Sequence, residues 1–171
     1  MENARTIPTI GALAILAVAV CLIPAGAHLF EMRNKMALSP DSYMTVQAIY
    51  AGWALFGIAI LAAIVLTLWH TVLIWRLPRG RWLSLVAFLL IASTQAIFWT
   101  FTYPMNVLTE NWTVMPPDLE AARQQWEYSH AASAVLTALA LLAIVVGVIA
   151  AARESGALAA RLPDAPIPPR P

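Results

Sequence analysis

The stretch "EAARQQWEYSH" (residues 120–130) puts Arg123, Glu127 and His130 at i, i+4 and i+7, on one face of a helix, with Trp126 beside them. Upstream, "HLFEMRNK" places His28 three residues before Glu31, and Glu31 four before Lys35. An imidazole with a carboxylate on its second nitrogen can act as a general base, and a nearby cation or amide can hold the oxyanion that such a base creates. The same letters also fit a metal. Glu-x-x-His motifs on facing helices hold iron pairs in soluble four-helix bundles, and His28, Glu31, Glu127 and His130 would suit iron, copper or zinc. For a full di-iron set the carboxylates are too few, and the first motif runs in reverse order. The plainer alternative is two ion pairs, Glu31–Lys35 and Arg123–Glu127, tying helix ends together. Exposed pairs of that kind contribute only about 0.3–0.5 kcal/mol each, a weak reason to put charge so close to hydrocarbon.

The surroundings of these residues are those of a membrane chain. Of 171 residues 61% are hydrophobic and 11% charged, with a mean hydropathy of +0.74, which excludes an ordinary soluble domain. A net charge of +1 gives no basis for nucleic-acid binding, and the lone Cys21 allows neither an internal disulfide nor a CxxC redox pair. Four segments are long enough to cross a bilayer core, which takes about 20 apolar residues in a helix. They run from about 8 to 30, 44 to 75, 82 to 103 and 129 to 152, giving an all-α transmembrane bundle. The second is long enough that it must tilt or begin outside the membrane. Residues 153–171, rich in proline and alanine, read as a disordered tail. An alternative is that "IPAGA-H" at 23–28 is a signal-peptide cleavage site, although the leader "MENART" is barely basic.

Orientation follows from the basic residues. Arg76, Arg79 and Arg81 crowd the turn between segments two and three, Arg5 precedes segment one, and Arg153, Arg161 and Arg170 follow segment four. Both termini are therefore expected in the cytoplasm, with an ordered outer loop between segments three and four. Trp75 and Trp82 then suit the inner interface, and Trp112 and Trp126 the outer one.

In this topology polar groups of all four segments meet at the outer end. His28 and Glu31 come from segment one, and Gln47 and Tyr50 from the start of segment two. Asn106 and Trp112 follow Pro104, which is expected to end segment three; Arg123, Trp126, Glu127 and His130 open segment four. Independent helix ends would have no need of two histidines, a glutamine and a tyrosine at one depth. His70 reads as a packed histidine near the other end, Gly52 and Gly57 as close-packing positions, and "NWT" at 111–113 as a weak glycosylation triplet.

The set "H..E", "Q..Y", "P.N", "W", "P.D" and "R..WE..H" resembles the anthrone-oxygenase-like family of small four-helix membrane proteins. The matching positions are His28, Glu31, Gln47, Tyr50, Pro104, Asn106, Trp112, Pro117, Asp118, Arg123, Trp126, Glu127 and His130, within residues 10–150. Many members continue to "H..R", where this chain has Ser133. The resemblance implies oxidation of anthrones to anthraquinones without a bound cofactor. His130 or His28 would be the base, oriented by Glu127 or Glu31; Arg123 and Asn106 would be the oxyanion donors. Trp112 and Trp126 would form the aromatic wall, with Gln47 and Tyr50 as further substrate contacts. The expectation is thus a multi-pass protein, of a bacterial inner membrane, acting on an apolar aromatic molecule delivered by the bilayer. The alternative is a non-enzymatic binder of a metal or small ligand, or an accessory subunit, alone or as a homo-oligomer.

Overall fold

The computed structural model describes residues 2–160, with side chains from Thr6 onward. Within them the chain is all-helical, with four helices long and apolar enough to cross a membrane. Helix α1 spans Glu2–Met36. Short α2 (Pro40–Gln47) leads through tight turns to α3 (Phe56–Leu73). Helix α4 (Pro78–Ile97) continues into α5 (Tyr103–Leu108), and α6 runs Leu119–Ala159. Helix α1 packs on α3 and α6, and α4 packs on the same two, which closes a four-helix bundle. Large apolar side chains such as Leu16, Ile58, Val65, Leu89 and Leu142 point outward, as a lipid-facing surface requires.

Close approach between helices depends on small residues, because hydrocarbon offers no hydrophobic reward for association. Along α4, Gly80, Ser84 and Ala87 are buried; on α6 the buried row is Ala140, Ala143, Gly147 and Ala151. A Cβ on Gly80 would lie 2.9 Å from the Ala151 backbone, and one on Gly147 would lie 2.9 Å from Ser84 Oγ. Gly11 likewise lies under His70, which is fully buried and has Nδ1 3.0 Å from Ser84 Oγ. The packing roles expected of Gly52 and Gly57 do not hold, since a Cβ on either would meet nothing within 4 Å. Gly52 instead supplies a left-handed turn, φ +83°, ahead of α3.

That turn explains why the expected 44–75 helix is two pieces. Ser39 caps α2 and Pro40 opens it, so residues 40–47 form a separate helix outside the second span, which begins near Trp53. Pro104 does not end the third span. The helix widens at Phe98–Thr102 into a π turn, in which the Tyr103 N–H reaches the Phe98 carbonyl. The Phe101 carbonyl accepts from Gln125 Nε2 at 3.0 Å, which ties the π turn to α6. The fourth span starts ten residues earlier than expected, with Asp118 capping α6 through the Ala121 N–H, and helix persists over 153–159, where a tail was expected. The expected disorder of 161–171 lies outside the described residues.

Candidate functional site

Helix α1 presents His28, Glu31 and Lys35 at i, i+3 and i+7, on the face turned to α6 and α2. The Lys35 side chain, 4% exposed, is the centre of the cluster. Its ammonium lies 2.7 Å from Glu127 Oε1 on α6, 3.7 Å from Glu31 Oε1, and donates to Tyr50 Oη at 2.8 Å. The Tyr50 hydroxyl donates in turn to Glu31 Oε1. From α2, the Tyr43 hydroxyl donates to Glu127 Oε1 at 2.8 Å. The rings of Tyr50 and Trp126 face the ammonium at 4.4 and 4.7 Å, so the one cation is paired by carboxylates and flanked by π-faces. A buried charge is tolerated only with this much compensation.

Burial is the main cause that pushes the phenols of Tyr43 and Tyr50 above their ordinary pKa, with Glu127 adding to it for Tyr43 and Glu31 for Tyr50. Both phenols are therefore neutral donors to carboxylates at ordinary pH.

Beside this network the two histidines stack. The His28 and His130 ring centroids are 4.1 Å apart at 22°. Trp126 meets both edge-on, at 5.0 and 4.2 Å, and Tyr50 and Trp53 flank His28 at 4.5 and 5.4 Å. His28 Nδ1 is 3.3 Å from Glu31 Oε1 without being aligned for a hydrogen bond. His130 makes no hydrogen bond among the described residues.

The remaining candidates hold this cage in place. Asn106 Oδ1 accepts from Trp126 Nε1 at 2.8 Å, which fixes the indole between the imidazoles and Lys35. Trp112 sits behind Trp126 and Tyr43, 5.5 Å from each, so it backs the cage and does not line the histidines. It reaches that position through three successive left-handed residues, Glu110, Asn111 and Trp112 (φ 48°, 57° and 64°). Each such non-glycine residue costs roughly 1–2 kcal/mol, so the loop is held there by its contacts. The Thr109 hydroxyl accepts from the Trp112 N–H at 3.0 Å. Trp112 and Trp126, expected at the membrane interface, are 7% and 4% exposed, because both belong to this internal cluster. Gln47 is buried among the same elements, with neither amide atom in a hydrogen bond of good geometry.

Two expectations need correction. Arg123 does not pair with Glu127. Its guanidinium pairs with Glu120, donates to the Leu38 carbonyl at 3.2 Å and lies over the Tyr43 ring at 5.8 Å. The charge facing Glu127 is Lys35, which Glu31 alone was expected to take. The second concerns the metal, a reading that the geometry does not support. Among the described residues no three His, Cys, Asp or Glu side chains are placed to share an ion. The reason is visible in the contacts: Lys35 stands where the carboxylates converge, and stacked imidazoles do not aim their lone pairs at one point. Tyr43, Lys35 and Trp53 are the members that sequence reasoning missed. Only Lys35 left a signal, its i+4 spacing from Glu31.

A surface groove of about 600 Å³ opens between α1 and α6 and is lined by Leu22, Gly26, Ala27, Phe30, Ala134 and Leu139. Two of its lining residues are near the histidines in sequence: Ala27 adjoins His28, and Ala134 is one turn from His130. Comparison with protein families, curated proteins and solved structures finds no match to this chain.

Proposed function

We propose that the chain is a membrane oxygenase that acts on a flat, apolar aromatic molecule of the anthrone or quinol class, an anthrone being the carbon acid for which the steps below are written, with the histidine end of the bundle on the outer side. The observation that carries the reading is the stacked His28–His130 pair, caged by Trp53, Trp126 and Tyr50 and backed by Glu31. Stability alone is a poor reason for two imidazoles, two carboxylates and an ammonium at one depth in hydrocarbon.

His28 takes a proton from the substrate carbon at Nε2, and the imidazolium so formed is stabilised by the Glu31 carboxylate 3.3 Å from Nδ1. The C–H electron pair stays behind as the enolate. Enolate and O₂ combine through electron transfer to a hydroperoxide, and loss of water from it forms the new carbonyl, so anthrone plus O₂ gives anthraquinone plus water. Lys35 keeps positive charge beside the developing anion, the role first expected of Arg123. The apolar groove between α1 and α6 suits a substrate arriving from the bilayer.

The test is O₂ uptake and anthraquinone formation from anthrone by the purified protein in lipid nanodiscs. His28→Gln should lower turnover by about 10²–10⁴, the usual worth of a positioned general base. Turnover unchanged in folded His28→Gln and His130→Gln variants would overturn the reading. Anthraquinone binding without turnover would make the cage a ligand-binding site only.

A further inference from the structure

The opposite end of the bundle carries its own unexplained chemistry. Arg76, Arg79 and Arg81 lie at the α3–α4 turn, and Arg153 lies on the last turns of α6. The carboxylate beside them, Glu154, neutralises none of them. Its two oxygens accept from the backbone N–H groups of Arg79 at 3.1 Å and Gly80 at 3.2 Å, capping the first turn of α4. All ion pairs among the described residues lie at the histidine end, so these four guanidiniums have no acidic partner among the described residues.

Arg81 is also fixed in position. Its guanidinium lies 4.6 Å from the Trp75 ring centroid and 4.9 Å from that of Trp82, and Nη1 donates to the Trp75 carbonyl at 3.2 Å. Both indoles are 57% exposed, and they sit at the ends of two apolar spans, where tryptophan marks the boundary between acyl chains and headgroups. A guanidinium presents a planar fork that matches two phosphate oxygens, and one already held by two rings loses little freedom on binding.

We propose that the Trp75–Arg76–Arg79–Arg81–Trp82 surface is a binding site for the phosphate of an anionic phospholipid, the arginines taking the headgroup and the indoles the glycerol region. Charge complementarity and depth select this occupant. The phosphates present at the ends of membrane spans are those of lipid, and each basic residue near an anionic bilayer surface adds about 1 kcal/mol of attraction. The site is independent of the chemistry at the histidine end.

Native mass spectrometry of the full chain in detergent, titrated with phosphatidylglycerol and with phosphatidylcholine of the same acyl chains, tests the proposal. Phosphatidylglycerol should bind at least roughly ten-fold tighter, and Arg76→Gln and Arg79→Gln, exposed positions whose loss leaves the helices intact, should each weaken it about five-fold. Arg81→Lys, which keeps the charge and loses the fork, should weaken it as well. Equal binding of the two lipids would overturn the proposal. So would an Arg153→Gln loss as large as that at Arg76, which would mean diffuse attraction without a site. Competition by millimolar inorganic phosphate against phosphatidylglycerol would assign the surface to free phosphate and overturn the lipid assignment.

Discussion

Lys35 Nζ lies 2.7 Å from Glu127 Oε1, joining α1 to α6 across 92 positions of sequence with both side chains at most 4% exposed. A pair this buried is informative through what happens when it is broken. Removing one partner leaves an uncompensated charge and costs about 3–5 kcal/mol, whereas replacing both with apolar groups can be close to neutral. Lys35→Met should therefore lower the unfolding temperature in detergent sharply, and Lys35→Met/Glu127→Leu should recover much of the loss. A double variant as unstable as the single one would mean that the remaining partners, Tyr43, Tyr50 and Glu31, set the cost.

Arg123 is expected to be scaffolding. It pairs with Glu120, which is 52% exposed, and holds the Leu38 carbonyl. Exposed pairs contribute at most about 1 kcal/mol, so Arg123→Lys should change stability by less than that and anthrone turnover by no more than about two-fold. A fall of about 10² or more in turnover, with the fold intact by circular dichroism, would restore Arg123 as an oxyanion donor.

The length of the apolar runs was enough to anticipate four spans, because membrane helices announce themselves by length and apolarity. Partner choice was not legible in the same way. The i, i+4 rule offered Glu127 the nearby Arg123, yet Glu127 is 1% exposed and paired with Lys35 while Arg123 pairs with Glu120 and the Leu38 carbonyl. Which side of a helix faces a neighbour depends on packing that no local spacing encodes. The π turn at Phe98–Thr102 was hidden for a related reason: its side-chain link to α6 comes from Gln125, 24 residues away. Tyr43 was missed because it lies in a stretch expected to be an outer connection and instead belongs to α2, and Trp53 because it lies in a region expected to be one continuous helix, which the chain breaks at Gly52.

The two buried phenols predict a base-side stability limit. The folded-state pKa values of Tyr43 and Tyr50 are raised, so the stability they confer is complete below the unfolded value of about 10 and declines as pH climbs above it. In a spectrophotometric titration of the folded protein, these two should contribute no tyrosinate absorbance until unfolding. Tyr43→Phe and Tyr50→Phe should leave the native titration amplitude unchanged. A reduced amplitude in either variant would show that its phenol ionises in the native state.

Glycines separate packing from turn geometry, and they give the cleanest test of the α4–α6 seam. A methyl at Gly80 would lie 2.7 Å from Ala151 Cβ and 2.9 Å from its backbone, which cannot yield as a flexible side chain would. Gly80→Ala should push the helices apart at a cost of about 1–3 kcal/mol, the range for overpacking a close contact. Gly57, inside α3 with nothing within 4 Å, is the opposite case. Gly57→Ala should stabilise by about 0.4–1 kcal/mol, because it restricts the unfolded chain without meeting a neighbour. Gly52→Ala should destabilise in spite of its open surroundings, since its φ of +83° disfavours any side chain. Thermal unfolding of the three variants in one detergent gives the order Gly57→Ala, wild type, then the other two. A Gly80→Ala variant as stable as wild type would mean that α4 and α6 are not in backbone contact at this level, and the small-residue seam would have to be redrawn.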